Sequence, residues 1–249
     1  MLLGHAFFKE QPDVDDTSTE FRRIDGDPGG TTICCLPWRM PFKLAAAAGL
    51  VPRRHLLACY EMPQAIVSSE PELCIRALNA VVDDAIRVLW RARLAPEQAL
   101  VVGLSIGNAA ATVLANRIGA RLCSIASADR GDLTLWESPA ARHIREKAEK
   151  KGYALADFTQ ALVGHHTVEN LENLGAGSRF IVGLRDEFIP EARRAGLIDA
   201  VTRILPAAEI AYVDAGHIGT MMETMRRGLV EPPEVHLARL TPQAAAPRS

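Results

Sequence analysis

Apolar residues recur along this chain with two periods, and the two alternate. The short apolar runs RRHLLACYE, QALVVGL, RLCSIASAD, RFIVGL and AEIAYVDAGH have the length of buried strands. Longer segments with apolar positions at helical spacing lie between them. PELCIRALNAVVDDAIRVLWRAR is the longest, with Glu72 near its start, arginines at its end and Pro96 beyond. That charge order suits the helix dipole. IGNAAATVLANRIG predicts a helix ending near Gly119, and PEARRAGLIDAVTRIL and GTMMETMRRGL predict two more. Strands alternating with helices predict an α/β fold, a mostly parallel doubly wound sheet with flanking helices.

The N-terminal pattern differs. LGHAFF reads as a first strand; TEFRRID, DPGG and TTICCLPW read as strand, turn and strand, an antiparallel hairpin. Pro28 and Gly29 suit the central positions of a type II turn. A mixed segment runs from about residue 130 to 178, and its SPAARHIREKAEKKG is helical in pattern. Residues 1–231 read as one domain. The remaining 232–249, rich in Pro and Ala, read as a flexible tail.

Composition narrows the function classes. The chain has 249 residues and a formal net charge of -2, without a basic block, so nucleic acid is not an expected partner. The N-terminus is a poor secretory signal, and no run reaches the ~18 apolar residues of a membrane helix. Five cysteines, without a CxxC or a Cys/His spacing that suits zinc, read as reduced core thiols of a cytoplasmic protein, with no metal. Self-association as a homo-oligomer stays open.

One stretch carries chemistry. In VVGLSIGN, Ser105 lies between Gly103 and Gly107, after a buried strand and before an alanine-rich helix. A bare G-x-S-x-G arises by chance in about one chain in twenty. The strand–turn–helix setting is what a nucleophile elbow requires, with small residues where helix and strand approach closely. A serine hydroxyl needs a base, and the base needs an orienting acid. Asp186, in GLRDEFIP, and His217, in YVDAGHIG, follow in that order. Each stands where a strand's carboxyl end gives way to a loop, so the three can converge on one sheet edge. Each has a rival reading. Ser105 could fill a tight turn, Asp186 could cap the helix near Pro190, and His217 could be a surface loop histidine. Asp129, after the preceding strand, is the alternative acid. His5, His55, His143 and His236 stand in less suitable settings.

With GLSIG at Ser105, G-x-x-D-x-x-I-P around Asp186 and GH at His217, the chain resembles the α/β-hydrolase family from about Thr31 to Leu229. The resemblance implies Ser105 as nucleophile, His217 as general base then acid, and Asp186 as the carboxylate that holds the imidazole. It implies an oxyanion hole built from the N–H of Ile106 and an N–H in the CCLPWRMPF loop, where Trp38 is the positional match. Many members read His-Gly there; this chain reads Leu36-Pro37, and Pro37 has no N–H to give. It also implies a small helical cap at about 130–178, with Trp136, Tyr153 and Phe158 as lining candidates. Arg39, His165 and the adjacent His166 are further substrate-pocket candidates. Arg39 could equally serve a surface salt bridge, and His165 a solvated or structural role.

The expectation is a serine hydrolase that cleaves a carboxylic ester or thioester through an acyl-enzyme, with a small-molecule acyl substrate and no cofactor. An acyltransferase with the same triad is one alternative. A non-catalytic ligand-binding protein on the hydrolase fold is another, and a lyase or isomerase using the triad for proton transfer is a third.

Overall fold

The computed structural model describes residues 19–52 and 55–230. The expected LGHAFF strand, His5, His236 and the 232–249 tail lie outside them. Seven strands form one sheet: β1 (Arg22–Asp25), β2 (Thr32–Cys35), β3 (Leu56–Glu61), β4 (Leu100–Leu104), β5 (Arg121–Ile125), β6 (Arg179–Gly183) and β7 (Glu209–Val213). Their order is β1-β3-β2-β4-β5-β6-β7. Every pairing is parallel except β1 with β3. The sheet is mostly parallel and doubly wound, with helices on both faces.

The antiparallel pair at the N-terminus is present, but β1's partner is β3 rather than the next strand in the chain. Arg22 stands opposite Glu61 and Asp25 opposite Ala58, while β2 pairs parallel with β3 and β4. The physical cause lies at the turn. The amides of Gly26 and Asp27 donate to Leu57 and Leu56, so the chain folds over the start of β3. A Cβ on Gly26 would lie 2.1 Å from the Leu56 carbonyl oxygen, and one on Gly30 2.5 Å from it. The turn is also not of type II, because Gly29 does not have a positive φ. The Asp27 carboxylate instead accepts from the Gly29 amide at 2.9 Å.

Successive strand residues alternate between two cores, as a pleated strand requires. Ile33, Cys35 and Val101 enter the core on one face, with Val81 and Val82 of α2 (Pro71–Arg91) and Leu114 of α3 (Gly107–Ile118). Cys34 and Val102 enter the other, beside Ala45 of α1 (Phe42–Ala47) and Met221 of α8 (His217–Arg226). Gly119, at φ 72°, ends α3. All five cysteines are buried with free thiols, and burial pushes Cys123 up to about 12.

Between β5 and β6 the chain forms α4 (Gly131–Glu137), α5 (Arg142–Lys150) and α6 (Leu155–Ala161). Phe158 and Ala148 pack on Cys74 of α2, with Leu135 and Trp136 around them. Lys151 pairs with Glu70 at 2.7 Å, and the Ser138 hydroxyl donates to the Phe188 carbonyl at 2.6 Å. The remaining long helix, α7 (Glu191–Ile204), precedes β7. Among the described residues, no helix is long and apolar enough to cross a membrane.

Candidate active site

The chain turns sharply at the end of β4. Ser105 takes φ 53°, the left-handed region that costs a non-glycine residue roughly 1–3 kcal/mol. Two glycines make the turn sterically possible. A Cβ on Gly103 would meet Asn108 Oδ1 at 2.4 Å and the Ala111 Cβ at 2.8 Å. A Cβ on Gly107 would meet the Cys35 carbonyl oxygen at 2.3 Å. Asn108 holds the turn from within. Its buried Nδ2 donates to the carbonyls of Ser105 (2.9 Å) and Ile125 (2.8 Å). Nothing in the motif reading singled out Asn108, although it directly follows GLSIG; its role depends on Ile125, seventeen residues away.

The Ser105 hydroxyl lies 2.7 Å from His217 Nε2, and His217 Nδ1 lies 2.7 Å from Asp186 Oδ2. Both Asp186 and His217 are buried. The loop after β6 turns back on the Asp186 carboxylate, whose Oδ1 accepts from the amides of Phe188 and Ile189, each at 2.9 Å. Oδ2 is thereby left to the imidazole. Burial works against ionisation of Asp186, but the His217 hydrogen bond and charge, with the two amides, hold its carboxyl below the ordinary 3.8. His217 opens α8, and its amide donates to Glu187 Oε2 at 3.0 Å. The edge of the Phe188 ring meets the imidazole, with centroids 4.9 Å apart. Glu187 was not a sequence candidate; only its place beside Asp186 hints at it.

Ser105, His217 and Phe188 line a cleft of about 250 Å3 between the sheet's carboxyl edge and α4–α6. Ile106 and Trp38 both line it. Among the described residues neither backbone amide has a hydrogen-bond acceptor. The Ile106 amide stands at the start of α3, where the helix dipole favours negative charge. Trp38 presents its ring to the cleft, stacked on His143 with centroids 6.4 Å apart.

The other candidates separate. His165 lines the cleft, with its ring nitrogens near the Val163 carbonyl and Asn79 Oδ1. Phe158 also lines it. Trp136, Tyr153 and Arg39 are not among the lining residues. Trp136 packs on Phe158 with centroids 5.5 Å apart, and Tyr153 meets the same ring, so both belong to the interior of the α4–α6 segment. The Arg39 guanidinium lies 4.2 Å from the centre of the Trp38 ring, and the residue takes φ 56°. Asp129 does not reach the imidazole. Its carboxylate accepts from the Arg130 amide at 2.7 Å and pairs with Arg193 at 3.2 Å. Burial outweighs those contacts and raises its carboxyl above 3.8.

No protein-family model matches this chain, and no curated protein sequence matches it. Solved structures do. It is similar to a Thermus thermophilus protein at TM-score 0.57 and 17% identity, over 84% of this chain and 90% of that one. It is similar to an α/β-hydrolase enzyme from the metagenome of lagoon sediments at Mar Chica, Morocco, at TM-score 0.53 and 16% identity, over 88% and 96% of the two chains. Dipeptidyl peptidase 4 of Porphyromonas gingivalis matches at TM-score 0.55 and 10% identity, over 84% of this chain and 32% of the peptidase. The chain thus spans about a third of that peptidase's length. At such identities the likeness carries the fold.

Proposed function

We propose that this chain, which has the α/β-hydrolase fold, is a serine hydrolase that cleaves a carboxylic ester or thioester through an acyl-enzyme. One observation carries the reading: the unbroken hydrogen-bonded series Ser105 Oγ, His217 Nε2, His217 Nδ1, Asp186 Oδ2, with 2.7 Å at each link, opening onto an apolar cleft.

The chemistry follows from those atoms. Ser105 Oγ attacks the substrate carbonyl carbon while His217 Nε2 takes the hydroxyl proton. Asp186 keeps Nδ1 protonated and stabilises the imidazolium. The carbonyl oxygen gains the negative charge and is held by the amide of Ile106 and, in this reading, that of Trp38. Collapse of the tetrahedral intermediate breaks the bond to the leaving group, which receives the proton from Nε2. A water then gives its proton to Nε2 and attacks the acyl carbon; collapse breaks the bond to Ser105 Oγ, which takes the proton back from Nε2 as the carboxylic acid leaves. An alcohol, amine or thiol in place of that water would make the same machinery an acyltransferase.

A fluorophosphonate probe tests this. Ser105 is expected to be the labelled residue in the wild type. Labelling should disappear in Ser105→Ala and fall by orders of magnitude in His217→Ala. A folded wild-type protein whose Ser105 stays unlabelled would overturn the reading in favour of a ligand-binding protein.

A further inference from the structure

The cleft runs across the carboxyl edge of the sheet, with walls from both faces, and Ser105 and His217 line it. One end is built on the α8 side, where Phe188, Ile218 and Met221 surround His217. The other is built by Ala109 of α3, Ile75 and Leu78 of α2, and Phe158 of α6 with Leu162 just beyond it. The hydrolase chemistry assigns the two ends. His217 must hand its proton to the departing atom, so the leaving group lies on the histidine's side. The acyl group hangs from the carbon on Ser105 and points the other way, past Ile106.

The chemistry of that second end is restrictive. Its walls are mostly aliphatic or aromatic. No lysine or arginine lines the cleft among the described residues. The carboxylate at that end, Asp132, is already held by Arg130 Nε at 3.1 Å and by the Thr159 hydroxyl at 2.6 Å. His165 has its ring nitrogens near the Val163 carbonyl and Asn79. An anionic acyl group would be desolvated there without a counter-charge.

We infer that the acyl group taken by this site is neutral and apolar and lies between α2, α3 and α6. The inference rests on the serine-hydrolase reading and adds the substrate class.

The test uses the full chain, p-nitrophenyl esters from acetyl to myristoyl, and alkyl fluorophosphonates of matching lengths. Wild-type kcat/KM should rise from the acetyl ester to longer acyl chains. Ile75→Trp narrows the acyl end from a half-buried position. It should cut kcat/KM for the octanoyl ester by about tenfold or more, the scale of misfit in an apolar pocket. The acetyl ester should be affected far less. Leu162→Ala widens the same end and should move the peak to longer chains. Because it removes bulk rather than adding it, it keeps the inference testable if the tryptophan variant fails to fold. Short probes labelling Ser105 with an acetyl optimum, or a chain-length profile that neither variant moves, would overturn the inference and leave the hydrolase reading standing. If no probe of any length labels Ser105, the hydrolase reading fails, and the acyl assignment with it.

Discussion

Asp129 and Asp186 stand four and three residues beyond consecutive parallel strands, β5 and β6, and both are buried. Their surroundings make them opposites. Asp186 receives two backbone amides on one oxygen and an imidazole on the other, and its carboxyl is held below 3.8. Asp129 receives the Arg130 amide and faces Arg193, yet burial raises it above 3.8. Position at a strand's end therefore does not decide which carboxylate reaches the imidazole. The local turn does, by presenting one oxygen to the chain's own amides and freeing the other.

The widest separation between the two should appear in turnover. Asp186→Asn keeps the shape but lets the amide favour the wrong imidazole tautomer. Amidating a triad acid costs on the order of 10^4-fold in kcat, and a loss of that size is expected here with an ester substrate. Asp129→Asn should change kcat by less than about tenfold, since its carboxylate touches neither the imidazole nor Ser105. If the two variants lose activity equally, the contrast collapses.

Stability should sharpen the contrast from Asp129's side. Gly196 of α7 lies against this carboxylate, and a Cβ there would stand 2.3 Å from Asp129 Oδ2. Gly196→Ala must displace either the helix or the Asp129–Arg193 pair. A loss of roughly 1–3 kcal/mol is expected in denaturant unfolding, the usual cost of overpacking. Fluorophosphonate labelling of Ser105 at saturating probe should stay near the wild-type rate. Slowed labelling without lost stability would mean that the Asp129 loop is coupled to the site after all.

The same contrast shows what the sequence makes legible. The alternation of buried runs and helical segments exposes the parallel sheet, because each element carries its own period. GLSIG is legible because the close packing that demands Gly103 and Gly107 is local to the turn. The partner of β1 is not legible: Gly26 and Gly30 read as turn residues, and their contact with Leu56 involves a segment thirty residues on. Asn108 was missed for the same reason, since its second acceptor lies on β5. Trp136 could be assigned to an α4–α6 segment by pattern, but whether it faces the cleft or Phe158 depends on how those helices turn. The choice between Asp129 and Asp186 is of this kind too, since both sequences read as strand followed by acid.

The smallest expected effect is also the one with opposite signs at the two carboxylates. Asp186 ionises more readily in the folded chain than at its ordinary 3.8. It therefore adds stability above that value, and the stability drains away as pH falls through its lower folded value. Asp129 ionises less readily when folded. Between 3.8 and its raised folded value the native chain binds more protons than the unfolded one, so its contribution weakens as pH rises. Thermal unfolding followed from pH 3 to 7 should resolve the two. Relative to wild type, Asp186→Asn should lose part of the stability gained on leaving acid. Asp129→Asn should lose part of the decline from about pH 4 upward, so the two difference curves in Tm should have opposite signs. Difference curves of the same sign would mean that the two environments are alike and that the turn at Phe188 and Ile189 does not set Asp186 apart.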